Sequence, residues 1–259
     1  MKRNQKTEIR YFQSFADDFV RSKKQSYRLP ENYVWLKTDF FNRVTAPCLF
    51  WIIKPFVLLY CHVVLHVRIK NSAVLRQSQN SGFFLFGNHT QPVGDAFMPV
   101  RVLSPKRAYF VASPSNLGIP FLGPLLPLLG ALPLPESIAG MKKLDEAIRL
   151  RIAQKSCVVF YPEAHVWPWY TGIRPFPAAS FGFPVECDVP SYCMTVTYQK
   201  RKRSNRPGTT IYLDGPFYPE KSLSKMKRKQ KLRDDIYRCM ERNSLNSTYS
   251  YIQYRKETG

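Results

Sequence analysis

A histidine and an aspartate lie close together in the segment GNHTQPVGD, residues 87–95. His89 could accept a proton from a hydroxyl group if Asp95 held its second ring nitrogen, because the carboxylate fixes the tautomer and supports the imidazolium ion. The segment follows the apolar run 83–86, which predicts a strand that ends in a loop. His89 and Asp95 are therefore candidates for a general-base pair. The alternative is a loop histidine that only hydrogen-bonds a neighbouring aspartate.

A second motif, YPEAH at residues 161–165, follows the apolar run CVVFY. If both apolar runs are parallel strands, their carboxyl ends lie at the same edge of one sheet. Glu163 would then lie near His89 and could hydrogen-bond a polyol. The alternative is a glutamate at a helix amino terminus that interacts with the helix dipole.

The residues from Phe83 onward alternate short apolar runs with helical patterns, which is typical of an α/β sheet. The patterns predict strands at 83–86, 108–111, 157–161, 192–198 and 209–213, and helices at 96–103, 139–154 and 224–242. The last two strands are predicted to form a hairpin. We therefore expect an α/β fold, a mostly parallel mixed sheet flanked by helices, over residues 71–259. Residues 1–70 are predicted to form an N-terminal, membrane-associating helical region.

The segment from Val44 to Ile69 is apolar and about long enough to cross a bilayer, but Lys54, Pro55, His62 and His66 interrupt it. Proline breaks or kinks a helix, and buried polar groups need partners or the headgroup region. The pattern therefore favours a helical hairpin or an interfacial helix pair embedded in one leaflet. The alternative is an ordinary buried core helix.

Phe12, Phe15 and Phe19 recur at helical spacing before the basic residues Arg21, Lys23 and Lys24. This spacing predicts a short amphipathic helix that docks on the protein core or lies on a membrane.

The chain has 39 Lys and Arg residues against 18 Asp and Glu residues, a net charge of +21, which indicates an anionic partner. Residues 200–206 and 221–233 hold 12 of these cations. The aromatic residues do not alternate with these basic runs, as a stacking platform for nucleic acid requires. The pattern therefore favours an anionic membrane surface over nucleic acid.

The polar start of the sequence does not resemble a secretory signal, which needs an apolar core and a cleavage site. The six cysteines are far apart and show no CxxC spacing, so they are predicted to be reduced, buried thiols. Together these features predict a protein on the cytoplasmic face of the cell membrane, either peripheral or monotopic.

The region from Phe83 to Pro219 resembles the glycerolphosphate and lysophosphatidate acyltransferase family. Asn88, His89 and Asp95 are similar to the family's N-H-x4-D block, although five residues separate His from Asp here. The run RAYFVASPSNLGIPFLGPLLPLLGALPLP, residues 107–135, resembles the second block. Residues 161–164 resemble the F-P-E-G block, and Val189 with Pro190 resembles the fourth.

This resemblance implies an acyltransferase of phospholipid biosynthesis. His89 would be the base on the hydroxyl of a lysophospholipid such as lysophosphatidate, and Asp95 would orient it. The donor would be a thioester of coenzyme A or acyl carrier protein, with no covalent acyl-enzyme, no cofactor and no metal. Asn88, Thr90 and the pair Pro162 and Glu163 are predicted substrate-binding residues. The expected partners are membrane phospholipid, lysophospholipid, the acyl donor and acyl carrier protein, and no nucleic acid.

Two departures from the family pattern bear on this expectation. The first is the additional residue between His89 and Asp95. We expect a positive φ at Gly94 and a turn stiffened by Pro92 to absorb it and keep the two side chains within hydrogen-bond reach.

The second departure is Glu136, which stands where the family has an arginine that binds phosphate. The candidate replacements are Arg107, Arg174, Lys142 and Lys143, although each could be a solvated surface charge. Together the departures leave open an alternative function, in which the chain is a non-catalytic lipid-binding protein on the membrane surface that retains the acyltransferase fold.

Overall fold

The computed structural model describes residues 8–20, 27–36, 39–202 and 204–257, except for the side chains of residues 41–43. The strands are β1 Glu8–Phe12, β2 Arg68–Lys70, β3 Phe83–Gly87, β4 Ala108–Ala112, β5 Ala131–Pro133, β6 Cys157–Phe160, β7 Ser191–Arg201, β8 Ser204–Phe217 and β9 Ile252–Lys256. The α-helices are α1 Phe40–Val63, α2 Gly94–Leu103, α3 Ile138–Ala153, α4 Gly182–Cys187 and α5 Lys225–Ser244.

The central sheet has seven strands in the order β2-β8-β7-β3-β6-β4-β5. The five strands from β7 to β5 are parallel, whereas β8 pairs antiparallel with β7 as a hairpin and β2 runs parallel to β8. The predicted fold class, a mostly parallel mixed sheet flanked by helices, is confirmed. The predicted strands and helices from residue 83 onward are also present, whereas the short strands β2 and β5 were not predicted.

Alternate side chains of the central strand β3 lie on opposite faces of the sheet, as the two-residue period of a strand requires. Phe84 and Phe86 join a core cluster that includes side chains of α3, α4 and α5. Phe83 and Leu85 join a second cluster, which includes side chains of α1 and α2. Because helices cover both faces, every residue of β3 is buried, and a parallel strand in this position needs a continuous apolar run.

The predicted amphipathic helix at the N-terminal phenylalanines is wrong. β1 instead pairs in parallel with β9 in a separate two-stranded sheet, and residues 13–20 form turns and bends. The rings of Phe12, Phe15 and Phe19 lie 4.8, 5.9 and 5.1 Å from the ring of Trp167. Their spacing therefore reflects packing around one indole ring. The basic group 21–24 of the same prediction lies outside the described residues.

The predicted helical hairpin is also wrong, because α1 is a single helix that continues through Pro47 and Pro55. Residues 44–63 are long and apolar enough to cross a membrane, and only 22% of the most apolar window is buried. Val57 and Cys61 pack on the sheet. The exposed side includes Trp51, Ile52, Phe56, Leu59 and Val63, so α1 is not a buried core helix either.

All six cysteines are free thiols. Four of them are buried, but Cys48 is exposed and Cys187 is half-buried, so the prediction of burial is wrong for these two.

Candidate active site

His89 and Asp95 are in direct contact at the carboxyl end of the parallel strands. His89 lies two residues after the end of β3, and Asp95 lies in the first turn of α2. The Nδ1 atom of His89 is 2.6 Å from Oδ2 of Asp95. The His89 side chain is 20% exposed and that of Asp95 only 4%. The histidine thus faces solvent at the edge of the sheet while its carboxylate partner is buried beneath it.

The additional residue between His89 and Asp95 is accommodated by a helical turn. The backbone N–H of Asp95 donates to the carbonyl of Gln91 at 3.3 Å, and Oδ2 of Asp95 accepts from the Gln91 N–H at 2.9 Å. Gly94 does not have a positive φ, so that part of the prediction is wrong. A Cβ at Gly94 would lie 2.9 Å from Cδ1 of Leu65. The glycine is needed for close packing, not for an unusual backbone conformation.

The contact with Asp95 favours the tautomer of His89 that carries its free lone pair on Nε2. Burial raises the pKa of Asp95, and the hydrogen bond and charge of His89 oppose that rise. The ionised Asp95 carboxylate accepts a hydrogen bond from Nδ1–H, which leaves Nε2 as the basic nitrogen. No described residue forms a hydrogen bond with Nε2. This nitrogen can therefore accept a proton from a bound hydroxyl group.

Tyr161 directly follows the neighbouring strand β6 and supports the pair. Its ring stacks on the His89 ring, with centroids 4.6 Å apart, and its hydroxyl donates to the backbone carbonyl of Asp95 at 2.5 Å. Burial raises the pKa of Tyr161 well above its usual value, so the hydroxyl stays protonated and remains a donor. A Cβ at Gly87 would lie 2.7 Å from this ring, which explains the glycine at the end of β3.

Glu163 is buried and holds the backbone of the histidine loop. Its Oε2 atom accepts from the backbone N–H of His89 and from Nη2 of Arg174, both at 3.0 Å. Its Oε1 atom accepts from the backbone N–H of Arg174 at 2.9 Å. This geometry places the carboxylate behind the loop, where it positions His89, and does not fit the predicted contact with a polyol.

Arg174 is fully buried, which does not fit the predicted role as a phosphate ligand. Besides Glu163, its guanidinium donates to the backbone carbonyls of Phe15 and His165, and it lies 4.9 Å from the centre of the Trp167 ring. A buried arginine with these partners is an internal counter-ion. The sequence shows the charge but cannot show that its partner is Glu163.

Asn88 and Thr90 anchor the same loop to β7. The Asn88 amide donates to the carbonyl of Val196 at 3.0 Å and accepts from the Val196 N–H at 2.7 Å. The Thr90 hydroxyl lies 2.6 Å from the hydroxyl of Tyr198. Both side chains are buried, so their contacts are with the protein and not with a substrate. Pro162 is half-buried in the turn that carries Glu163.

The segment 167–169 is a part of the site that sequence reasoning missed. The backbone N–H of Trp167 donates to the carbonyl of His89 at 3.0 Å, and that of Trp169 donates to the carbonyl of Thr90 at 2.8 Å. The available signal was the aromatic run VWPWY directly after YPEAH. These bonds fix the backbone on both sides of the histidine.

The structure does not bring Arg107 to His89. Arg107 directly precedes β4 at the amino edge of the parallel strands, and a five-residue strand separates the two edges by about 16 Å. Lys142 and Lys143 are exposed on α3. Glu136 is exposed as well, and its Oε2 atom lies 3.9 Å from Nε of Arg28.

No protein-family model and no curated protein sequence matches the chain. Among solved structures, the chain is similar to the 1-acyl-sn-glycerophosphate (LPA) acyltransferase PlsC from Thermotoga maritima. The TM-score is 0.58 and the identity is 14%, over 83% of this chain and 87% of that chain. At this identity the likeness shows a shared fold.

Proposed function

We propose that this chain is an acyltransferase that moves a fatty acyl group from a thioester to the hydroxyl of a lysophospholipid such as lysophosphatidate, in phospholipid biosynthesis. The observation that carries the proposal is the 2.6 Å contact between His89 and Asp95 at the carboxyl edge of the sheet. The fold shared with an LPA acyltransferase supports the reaction class.

The proposed mechanism uses Nε2 of His89 as the base. Nε2 takes the proton of the acceptor hydroxyl as its oxygen attacks the thioester carbonyl, and Asp95 stabilises the resulting imidazolium. The tetrahedral intermediate then expels the thiolate, which receives that proton, so the products are an ester and a free thiol. A thioester is electrophilic enough for direct attack, and no covalent acyl-enzyme is needed. The donor is acyl-CoA or acyl carrier protein loaded with an acyl chain.

A direct assay tests the proposal. The purified full-length chain in detergent is given lysophosphatidate and palmitoyl-CoA, and release of free thiol is measured. We expect His89→Ala to lower kcat about 10² to 10⁴-fold, the usual contribution of a general base. His165→Ala is the matched control, since this side chain is 43% exposed and does not contact Asp95. Lysolipid-dependent turnover by the His89 variant at the wild-type rate would refute the mechanism.

One observation favours the competing function, a non-catalytic lipid-binding protein on the same fold. Neither Arg107 nor Arg174 lies where a phosphate of the acceptor could reach it at the candidate site. Measuring lysolipid binding beside thiol release separates the two functions, because binding without any thiol release is expected only of the non-catalytic protein.

We also propose that residues 1–70 associate the protein with the cytoplasmic face of the cell membrane and that residues 71–259 form the catalytic domain. The support is the apolar face of α1, where Phe56 is 69% and Leu59 is 59% exposed, together with the net charge of +21. The double variant Phe56→Asp and Leu59→Asp should shift the protein from the membrane pellet to the supernatant in sedimentation. Salt alone should release only part of the wild type. A wild-type chain that stays in the supernatant without detergent would contradict this proposal.

A further inference from the structure

A cavity of about 270 Å³ lies at the amino edge of the sheet, on the far side from His89. Its apolar walls include Trp35, Pro47 of α1 and Leu132 of β5. Two arginines line it as well, Arg107 before β4 and Arg151 near the end of α3. No carboxylate is among its lining residues.

The two arginines converge on one aromatic ring. The guanidinium carbons of Arg107 and Arg151 lie 5.2 and 4.6 Å from the centre of the Tyr109 ring. Arg107 donates to the carbonyl of Leu128 at 2.7 Å, and Arg151 donates to the side-chain oxygen of Gln154 at 2.9 Å. Both partners are neutral, so these bonds leave the two positive charges uncompensated.

Neither arginine forms a salt bridge within the described part of the chain. The Nε atom of each is buried and has no hydrogen-bond partner there. Burial lowers the pKa of Arg107; Tyr109 opposes this shift, and the nearby charge of Arg151 adds to it. Arginine nevertheless remains protonated in proteins. Partly buried like charges without a counter-ion are unfavourable, and a bound anion would relieve this cost.

We propose that the cavity lined by Arg107 and Arg151 binds a phosphate monoester carried on an apolar stem. A monoester dianion balances two positive charges, and its oxygens suit the planar donor forks of arginine. The apolar walls accept the stem. The cavity also borders α1 at Ala46 and Pro47, so a headgroup at a membrane surface could supply the phosphate, as could a soluble phosphate compound.

This anion site is separate from the candidate active site and does not depend on acyl transfer. The amino and carboxyl ends of β4 are about 16 Å apart, too far for one phosphate to contact Arg107 while its neighbouring hydroxyl contacts His89.

Calorimetry with the full-length chain in neutral detergent tests the proposal, using dihexanoyl phosphatidate as the lipid probe and inorganic phosphate as the soluble probe. We expect Arg107→Gln with Arg151→Gln to weaken binding of the lipid probe at least tenfold. The matched control is Lys142→Gln with Lys143→Gln, which removes the same charge from exposed positions on α3. No wild-type binding of either probe, or an equal loss in the lysine control, would overturn the site.

A second variant keeps both arginines and therefore decides the matter if the arginine variant fails to fold. Ala131 is half-buried and lines the cavity, so Ala131→Leu should occupy the space for the stem. This variant should bind the lipid probe more weakly and bind inorganic phosphate as the wild type does. If wild type binds inorganic phosphate as tightly as the lipid probe, with loss only in the arginine variant, the source is a soluble phosphate. Wild-type affinity for both probes in every variant would refute the proposal.

Discussion

The two edges of the parallel sheet differ in whether their buried charges have counter-ions. At the carboxyl edge, His89 is paired with Asp95, and Glu163 is paired with Arg174. At the amino edge, Arg107 and Arg151 lie against Tyr109 with neutral partners. The charges at the carboxyl edge are compensated within the protein, whereas those at the amino edge have no described counter-ion and form the proposed anion site.

The largest expected effect is a loss of kcat at the carboxyl edge. His89→Ala should cost about 10² to 10⁴ in kcat, and adding Asp95→Asn to it should cost little more, because residues that act as a unit are not additive. Asp95→Asn alone should lower kcat while unfolding in urea near the wild-type midpoint, since an amide is cheaper to bury than a carboxylate. An Asp95→Asn variant with full activity would show that the contact has no catalytic role.

The next effect is on stability at the same edge. Arg174→Ala should lower the free energy of unfolding by about 3 to 5 kcal/mol, because it leaves the Glu163 carboxylate buried without its counter-ion. Urea denaturation followed by tryptophan fluorescence measures the change. A loss below about 1 kcal/mol would mean that Glu163 and Arg174 are solvated, and that Arg174 is again a candidate for phosphate binding.

The smallest expected effect is on stability at the amino edge, and it is compared with the effect of Arg174→Ala. Arg107→Gln should change the free energy of unfolding by less than about 1 kcal/mol, or increase it, because it removes repulsion with Arg151 and breaks no ion pair. The same urea denaturation, without phosphate in the buffer, makes the comparison with Arg174→Ala. A loss as large as that of Arg174→Ala would remove the distinction between the two edges.

The main strands of the sheet could be predicted from the sequence because each of them is a short apolar run. The His89–Asp95 contact could also be expected, since both residues lie in one loop. The N-terminal phenylalanines misled the helical prediction because periodicity is a local signal, and β1 depends on pairing Glu8 with Ile252 far along the chain. In α1, Pro55 suggested a break, but packing on the sheet keeps the helix continuous.

The roles of charged residues were harder to predict than the elements that carry them. Arg174 and Arg107 are equivalent in a sequence, and each could bind phosphate. Burial and counter-ions separate them, and both follow from the folded structure. Asn88 and Thr90 were similarly predicted to contact substrate, because a sequence shows polar groups near His89 but not the strand β7 that satisfies them.

Because β1 pairs with β9, the candidate site can be completed only after β9 has been synthesised. Trp167 packs between these strands and the histidine loop, and its indole N–H donates to the carbonyl of Asp17 at 2.7 Å. During translation, α1 leaves the ribosome long before Ile252 is made, so it can meet a bilayer while β1 still lacks its partner. The support around Trp167 is completed only when residues 252–256 emerge. The candidate catalytic loop is therefore fully held only once β9 has been synthesised, long after the helix proposed to bind the membrane is complete.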